Sequence, residues 1–92
     1  MSANDDRVIR ERHRRWKPPI YGRDGMTVGQ RMKLAREQRG IKAIDVSRRF
    51  KVWAEQLSHW EGDYKMPNLV IFAELARYYG VSVDEMYWGP LP

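Results

Sequence analysis

The stretch Trp53-Ala-Glu-Gln-Leu-Ser-His-Trp-Glu61 gathers hydrogen-bonding side chains of complementary type. Gln56 carries a donor beside an acceptor, the pair that meets an adenine edge bidentately. Glu55 can accept from the amino group of cytosine, and His59 can donate to a base acceptor or a phosphate. Ser58 can do either, and Ala54 or Trp53 can pack on a thymine methyl. Leu57 and Trp60 stand three apart, the spacing of a buried helical stripe. A helix here would turn Trp53, Ala54, Glu55, Gln56, Ser58 and His59 outward. It would hold no Arg or Lys, so it lacks the bidentate cation that reads guanine. The plainer reading of His59 is a surface residue.

Groups suited to phosphate surround this stretch. Lys42 and Ala43 would open a preceding helix, whose first N–H groups can hold an anion. Lys51 falls in the turn between the two helices, and Tyr64, Lys65 and Asn68 follow the second. Arg48 and Arg49 widen the basic surface, and Arg10, Arg12, Arg14, Arg15 and Lys17 form a basic N-terminal arm. Such contacts give affinity and salt dependence, not sequence choice. The formal net charge is +5, from 17 Lys/Arg against 12 Asp/Glu. The surplus lies before residue 63, and the C-terminal third is slightly acidic, as a localised phosphate-binding footprint requires. The plainer alternatives are a solvated helix face for Arg48 and Arg49 and a solubilising tail for the arm.

Other classes find little support. The 92 residues include no cysteine, which removes disulfides and Cys-based zinc sites. No apolar run approaches the roughly 20 residues that span a bilayer, and the charged N-terminus lacks a signal-peptide core. A cytoplasmic protein with no membrane association is the expectation. His13 and His59 are far apart with no ligand spacing around them. No metal, cofactor, small-molecule ligand or catalytic constellation is indicated, so an enzyme is not expected.

The elements that must carry these side chains are helical. Residues 1–26 read as a basic arm and linker, interrupted by Pro18, Pro19, Gly22 and Gly25. Thr27 is a good N-cap for a helix over about 28–39, with Val28, Met32, Ala35 and Arg39 on one face. Gly40 ends it. A second helix is expected over 43–50, a turn over 51–53, and a third helix over 54–61. Asn68 caps a fourth over 69–79, with Leu69, Phe72, Leu75, Ala76 and Tyr79 as its apolar stripe. Ser82 caps a fifth over about 83–87, with Val83 and Met86 facing inward. Residues 27–88 thus form one domain, and residues 89–92 an apolar tail.

This pattern resembles the lambda-repressor-like helix-turn-helix family, which includes Cro/C1 and Xre-type regulators. The resemblance runs from about Thr27 to Trp88. It rests on Arg36-Glu-Gln-Arg-Gly40 with Ile41, on Val46, Phe50, Val52 and Leu57, and on Trp60-Glu61-Gly62 with Pro67. Leu69 to Tyr79 and Gly80-Val-Ser-Val-Asp-Glu-Met86 complete it. It implies an all-α, compact five-helix DNA-binding domain whose third helix enters the major groove. It also implies an interhelical ion pair between Arg36 and Glu61. The chain departs from the family at five places. Lys42 and Ala43 stand where a Ser or Thr cap and a Gln are usual, Ser47 replaces Ala, Lys51 replaces the turn glycine, and Trp53 replaces a Ser cap.

Exposed aromatic residues often mark an interface. Tyr78, Tyr87, Trp88 and Leu91 are candidates for a two-fold dimer contact, against the plainer packing of the tail on its own bundle. The function expected is a sequence-specific regulator of transcription, a repressor acting as a homodimer on near-palindromic double-stranded DNA. The alternative is a protein-interaction module on a degenerate helix-turn-helix, such as an antitoxin or a phage adaptor.

Overall fold

The computed structural model describes residues 20–92. The expected basic residues Arg10, Arg12, Arg14, Arg15 and Lys17, and His13, lie outside the described residues. Five helices follow in order: α1 (Val28–Gln38), α2 (Ala43–Phe50), α3 (Ala54–Glu61), α4 (Leu69–Tyr79) and α5 (Val83–Trp88). The middle three keep the spans expected from the sequence. α1 ends one residue early and α5 runs one residue longer.

Local chemistry explains most boundaries. Thr27 Oγ1 accepts from the Gln30 N–H while the Gln30 side chain accepts from the Thr27 N–H, a full capping box. Asn68 and Ser82 each accept from the backbone N–H three residues on, at 2.9 and 3.0 Å. Lys42 and Trp53 make no side-chain cap, so α2 and α3 begin without one. α2 ends at Lys51, which takes the left-handed conformation at φ 54° and ψ 46°. That turn lets the Val52 N–H reach the Ser47 carbonyl at 3.1 Å.

The core joins Val28, Met32 and Ala35 of α1 to Val46 of α2 and to Leu57 and Trp60 of α3. Phe72, Leu75, Ala76 and Tyr79 of α4 and Met86 of α5 close it. Each large side chain removed from water there contributes roughly 1.5–3 kcal/mol before ordering entropy is counted. α1 packs against both α3 and α5, α2 against α3, and α4 against α5.

Three residues placed on the apolar faces of their helices are not in the core. Leu69 is 75% exposed, Val83 is exposed and so is Arg39. Leu69 and Val83 are the first residues of their helices, where the axis has barely entered the bundle. Arg39 is the C-cap of α1, past the last turn, and its guanidinium reaches out to the Gly80 carbonyl at 3.1 Å.

Residues 20–26 are not a free linker. Tyr21 forms an isolated antiparallel bridge with Thr27, and the Arg23 N–H donates to the Trp88 carbonyl at 2.6 Å. The Arg23 guanidinium reaches Asp84 at 2.9 Å and the Gly89 carbonyl at 2.7 Å. From α1, the buried Arg31 donates to the carbonyls of Met26, Met86 and Tyr87 and grips Asp24 through both carboxylate oxygens. The four consecutive carbonyls from Met86 to Gly89 thus all accept from Arg23 or Arg31. A six-residue helix has few internal bonds of its own, so this segment acts as its C-terminal cap.

Candidate nucleic-acid interface

α3 is anchored by Leu57 and Trp60, which are 2% and 3% exposed. The rest of its surface is open: Ala54, Glu55, Gln56 and Ser58 are exposed, as is Trp53, the N-cap residue just before the helix. His59 is half-buried, its Nε2 3.7 Å from Glu55 one turn earlier and its ring 6.0 Å from that of Tyr64. Leu57 and Trp60, three apart, share the face turned to the core.

The pose of α3 is held from α1 at two points. Arg36 Nε donates to Glu61 Oε2 at 2.8 Å and Nη2 to Oε1 at 3.2 Å, while Nη1 donates to the Ile41 carbonyl at 2.9 Å. The pair is largely shielded from water, and the hydrogen bonds to Glu61 raise the Arg36 pKa above its ordinary value. The planar guanidinium satisfies three acceptors at once, so it fixes angle as well as distance.

The second point lies at the other end of α1. Asp63, at φ 63°, follows the α3 C-cap and accepts from the Gly29 N–H at 2.9 Å and from the Thr27 hydroxyl. A carboxylate there meets an orphan N–H group and the positive end of the α1 dipole. Gly29 is required by close approach: a Cβ would fall 2.6 Å from the Trp60 carbonyl oxygen and 2.7 Å from that of Glu61.

The candidate phosphate groups lie in the segments before and after α3 in the chain. Lys42, Ala43, Lys51, Tyr64, Lys65 and Asn68 are all exposed. The Asn68 carbonyl oxygen is occupied in capping α4, which leaves its amide as a donor. Among the described residues no cluster of His, Asp or Glu is arranged to hold a metal ion, and no helix is long and apolar enough to cross a membrane.

A profile of the helix-turn-helix domain matches residues 29–90 of this chain. The chain belongs to the helix-turn-helix family of the Cro/C1 and Xre type. Among curated proteins it is similar to the HTH-type transcriptional regulator ImmR of Bacillus subtilis (strain 168), with 30% identity over 59 residues. That match covers 64% of this chain and 46% of ImmR, so the chain spans about half the length of the relative it matches. The helix-turn-helix itself is the α2–α3 pair, and its turn carries Lys51 in the left-handed position.

The other aromatic candidates divide into two groups. Tyr87 packs edge-on against Phe72 at 6.2 Å and against Trp88 at 4.8 Å. Together with Met66, Pro67, Leu69 and Val83 they line a mainly apolar cleft of about 450 Å³, and Leu91 is exposed. Tyr78 turns toward α2 instead. Its ring lies 5.8 Å from Phe50, and the Arg49 guanidinium sits 5.6 Å above it.

Asp24, Arg31 and Asp63 carry no sign of their roles in the sequence. The Thr27-x-x-Gln30 spacing was a readable sign of the α1 cap. The partners of Arg31 come from both ends of the chain and Asp63 serves a helix 34 residues earlier, so no local pattern announces either.

Proposed function

We propose that this protein binds double-stranded DNA through α3 and regulates transcription. The observation that carries the reading is the open side of α3: a row of exposed polar and apolar side chains on a helix held rigidly by Leu57, Trp60 and the Arg36–Glu61 pair. Regulators of this kind place that helix in the major groove with its N-terminal residues at the base edges. Gln56 pairs with adenine, Glu55 accepts from cytosine, and Trp53, Ala54, Ser58 and His59 complete the contact face. Lys42, Ala43, Lys51, Tyr64, Lys65 and Asn68 meet the phosphates on either side. The protein acts in the cytoplasm as a dimer, on half-sites about 34 Å apart, and represses by occluding a promoter. We place the dimer contact on Tyr87, Trp88 and Leu91. The reading assigns the chain no catalysis and no cofactor.

Selection of bound duplexes from a random pool tests this reading and yields the half-site spacing. Affinity for the selected duplex should fall steeply as salt rises. Gln56→Ala should change base preference at one position per half-site, while Lys65→Ala should weaken all sequences alike. A Gln56→Ala protein with unchanged affinity and preference would refute the docking.

One feature favours a second reading. α3 holds no Arg or Lys to read guanine, and the tryptophan at its N-cap is 82% exposed, an aromatic group that also suits a protein partner. A chain that binds no duplex at low salt would support that alternative.

A further inference from the structure

We infer that Trp53 reads the C5-methyl group of a pyrimidine in the major groove, so that binding responds to the presence of that methyl. The inference rests on the DNA-binding reading above and concerns what decides sequence choice within it. Trp53 is 82% exposed, the highest value for any large apolar side chain among the described residues. Its backbone, in contrast, is pinned. The carbonyl accepts from the N–H of Gln56 at 3.0 Å and of Leu57 at 3.2 Å, and the side chain makes no capping bond. The indole is therefore mounted on a fixed base at the leading end of α3, and among the described residues it makes no hydrogen bond.

The base edges offer few partners for such a group. In the major groove the donor and acceptor atoms of all four base pairs are polar, and the methyl at C5 is the one apolar group on display. The helix lacks a cation for guanine, so its strongest base-specific hydrogen-bonding residue is Gln56, suited to adenine. Gln56 lies one turn beyond Trp53. Adenine and the thymine methyl belong to the same kind of base pair, so the two side chains favour the same A·T-containing steps. Ala54 is also exposed, but its single methyl has neither the reach nor the surface of the indole.

The test starts from a duplex selected from a random pool, with binding followed by fluorescence anisotropy. Each thymine is replaced in turn by uracil, which removes only the methyl. The wild-type protein should bind about fourfold more weakly at one position per half-site, the value of one buried methyl group. Trp53→Ala should bind the thymine and uracil duplexes equally, and Trp53→Phe should keep part of the difference. At the same position, 5-methylcytosine should bind more tightly than cytosine to the wild type and not to Trp53→Ala. Uniform affinity of the wild type across all uracil duplexes would overturn the inference, as would a thymine preference that survives in Trp53→Ala. If no selected duplex binds in a salt-dependent way, the DNA-binding reading fails and the inference with it.

Discussion

The Asp63 carboxylate accepts the Gly29 N–H at 2.9 Å and so ties the loop after α3 to the first turn of α1. The bond occupies an amide that the helix itself leaves unpaired and brings negative charge to the positive end of its dipole. Asp63→Ala should lower stability by about 1–2 kcal/mol, read as the urea midpoint of unfolding. Gly29→Ala should cost more, about 2–3 kcal/mol, because its Cβ would meet backbone carbonyls that cannot rotate away. Equal stability of Gly29→Ala and wild type would show that the two helices are free to separate.

The Arg36–Glu61 pair should behave as a unit. Arg36→Met leaves a shielded carboxylate with no cation and should cost about 3 kcal/mol. Arg36→Met/Glu61→Leu should recover most of that loss, since two desolvated charges are removed together. A double mutant no more stable than Arg36→Met would contradict the coupling. In the double mutant the apolar pair no longer dictates the angle of α3, so DNA affinity should drop even where stability returns.

Lys51 occupies a left-handed backbone region that favours glycine. Lys51→Gly should raise stability by about 0.5–1 kcal/mol. If Lys51 also meets a phosphate, the same substitution should weaken DNA binding and reduce the salt slope by about one. Thermal melting and salt titration of one variant would thus separate the gain in stability from the loss of affinity.

Acid should loosen the cap on α5. Hydrogen bonds from Arg31 hold the Asp24 carboxyl well below the ordinary carboxylate range, and Arg23 lowers Asp84 in the same way. Below the ordinary aspartate value of 3.8 the unfolded chain binds protons that the folded chain refuses. The stabilisation is therefore full above that value and disappears as pH falls toward the folded values. Asp24→Asn should be less stable at neutral pH and should show a flatter acid limb in a melting-temperature profile. At the alkaline end, burial pushes the Tyr79 phenol up. Stability should then decline as pH rises above about 10, where the unfolded chain ionises first.

The dimer contact is testable by mass. The wild-type protein should sediment as a dimer in dilute solution, and Trp88→Ala should shift it to monomer while helical content is retained. A Trp88→Ala dimer would exclude the Tyr87–Trp88 surface. A monomeric wild type would remove the premise.

Periodicity and capping chemistry are properties of short windows, and they were sufficient for the helices. Thr27, Asn68 and Ser82 announce three helix starts, and the stripes through Met32, Leu57 and Phe72 announce the buried faces, because a cap and a 3.6-residue repeat act within one or two turns. Arg36 and Glu61 are 25 residues apart and were brought together only by the family resemblance. Other relationships lay beyond any window. That Arg31 and Arg23 close the last helix, that Asp63 caps the first, and that Leu69 and Val83 stand in water while Pro67 is buried were decided by how the helices meet. Those outcomes depend on which backbone groups of distant segments are left without partners after packing. A linear pattern carries no record of that until the chain has folded.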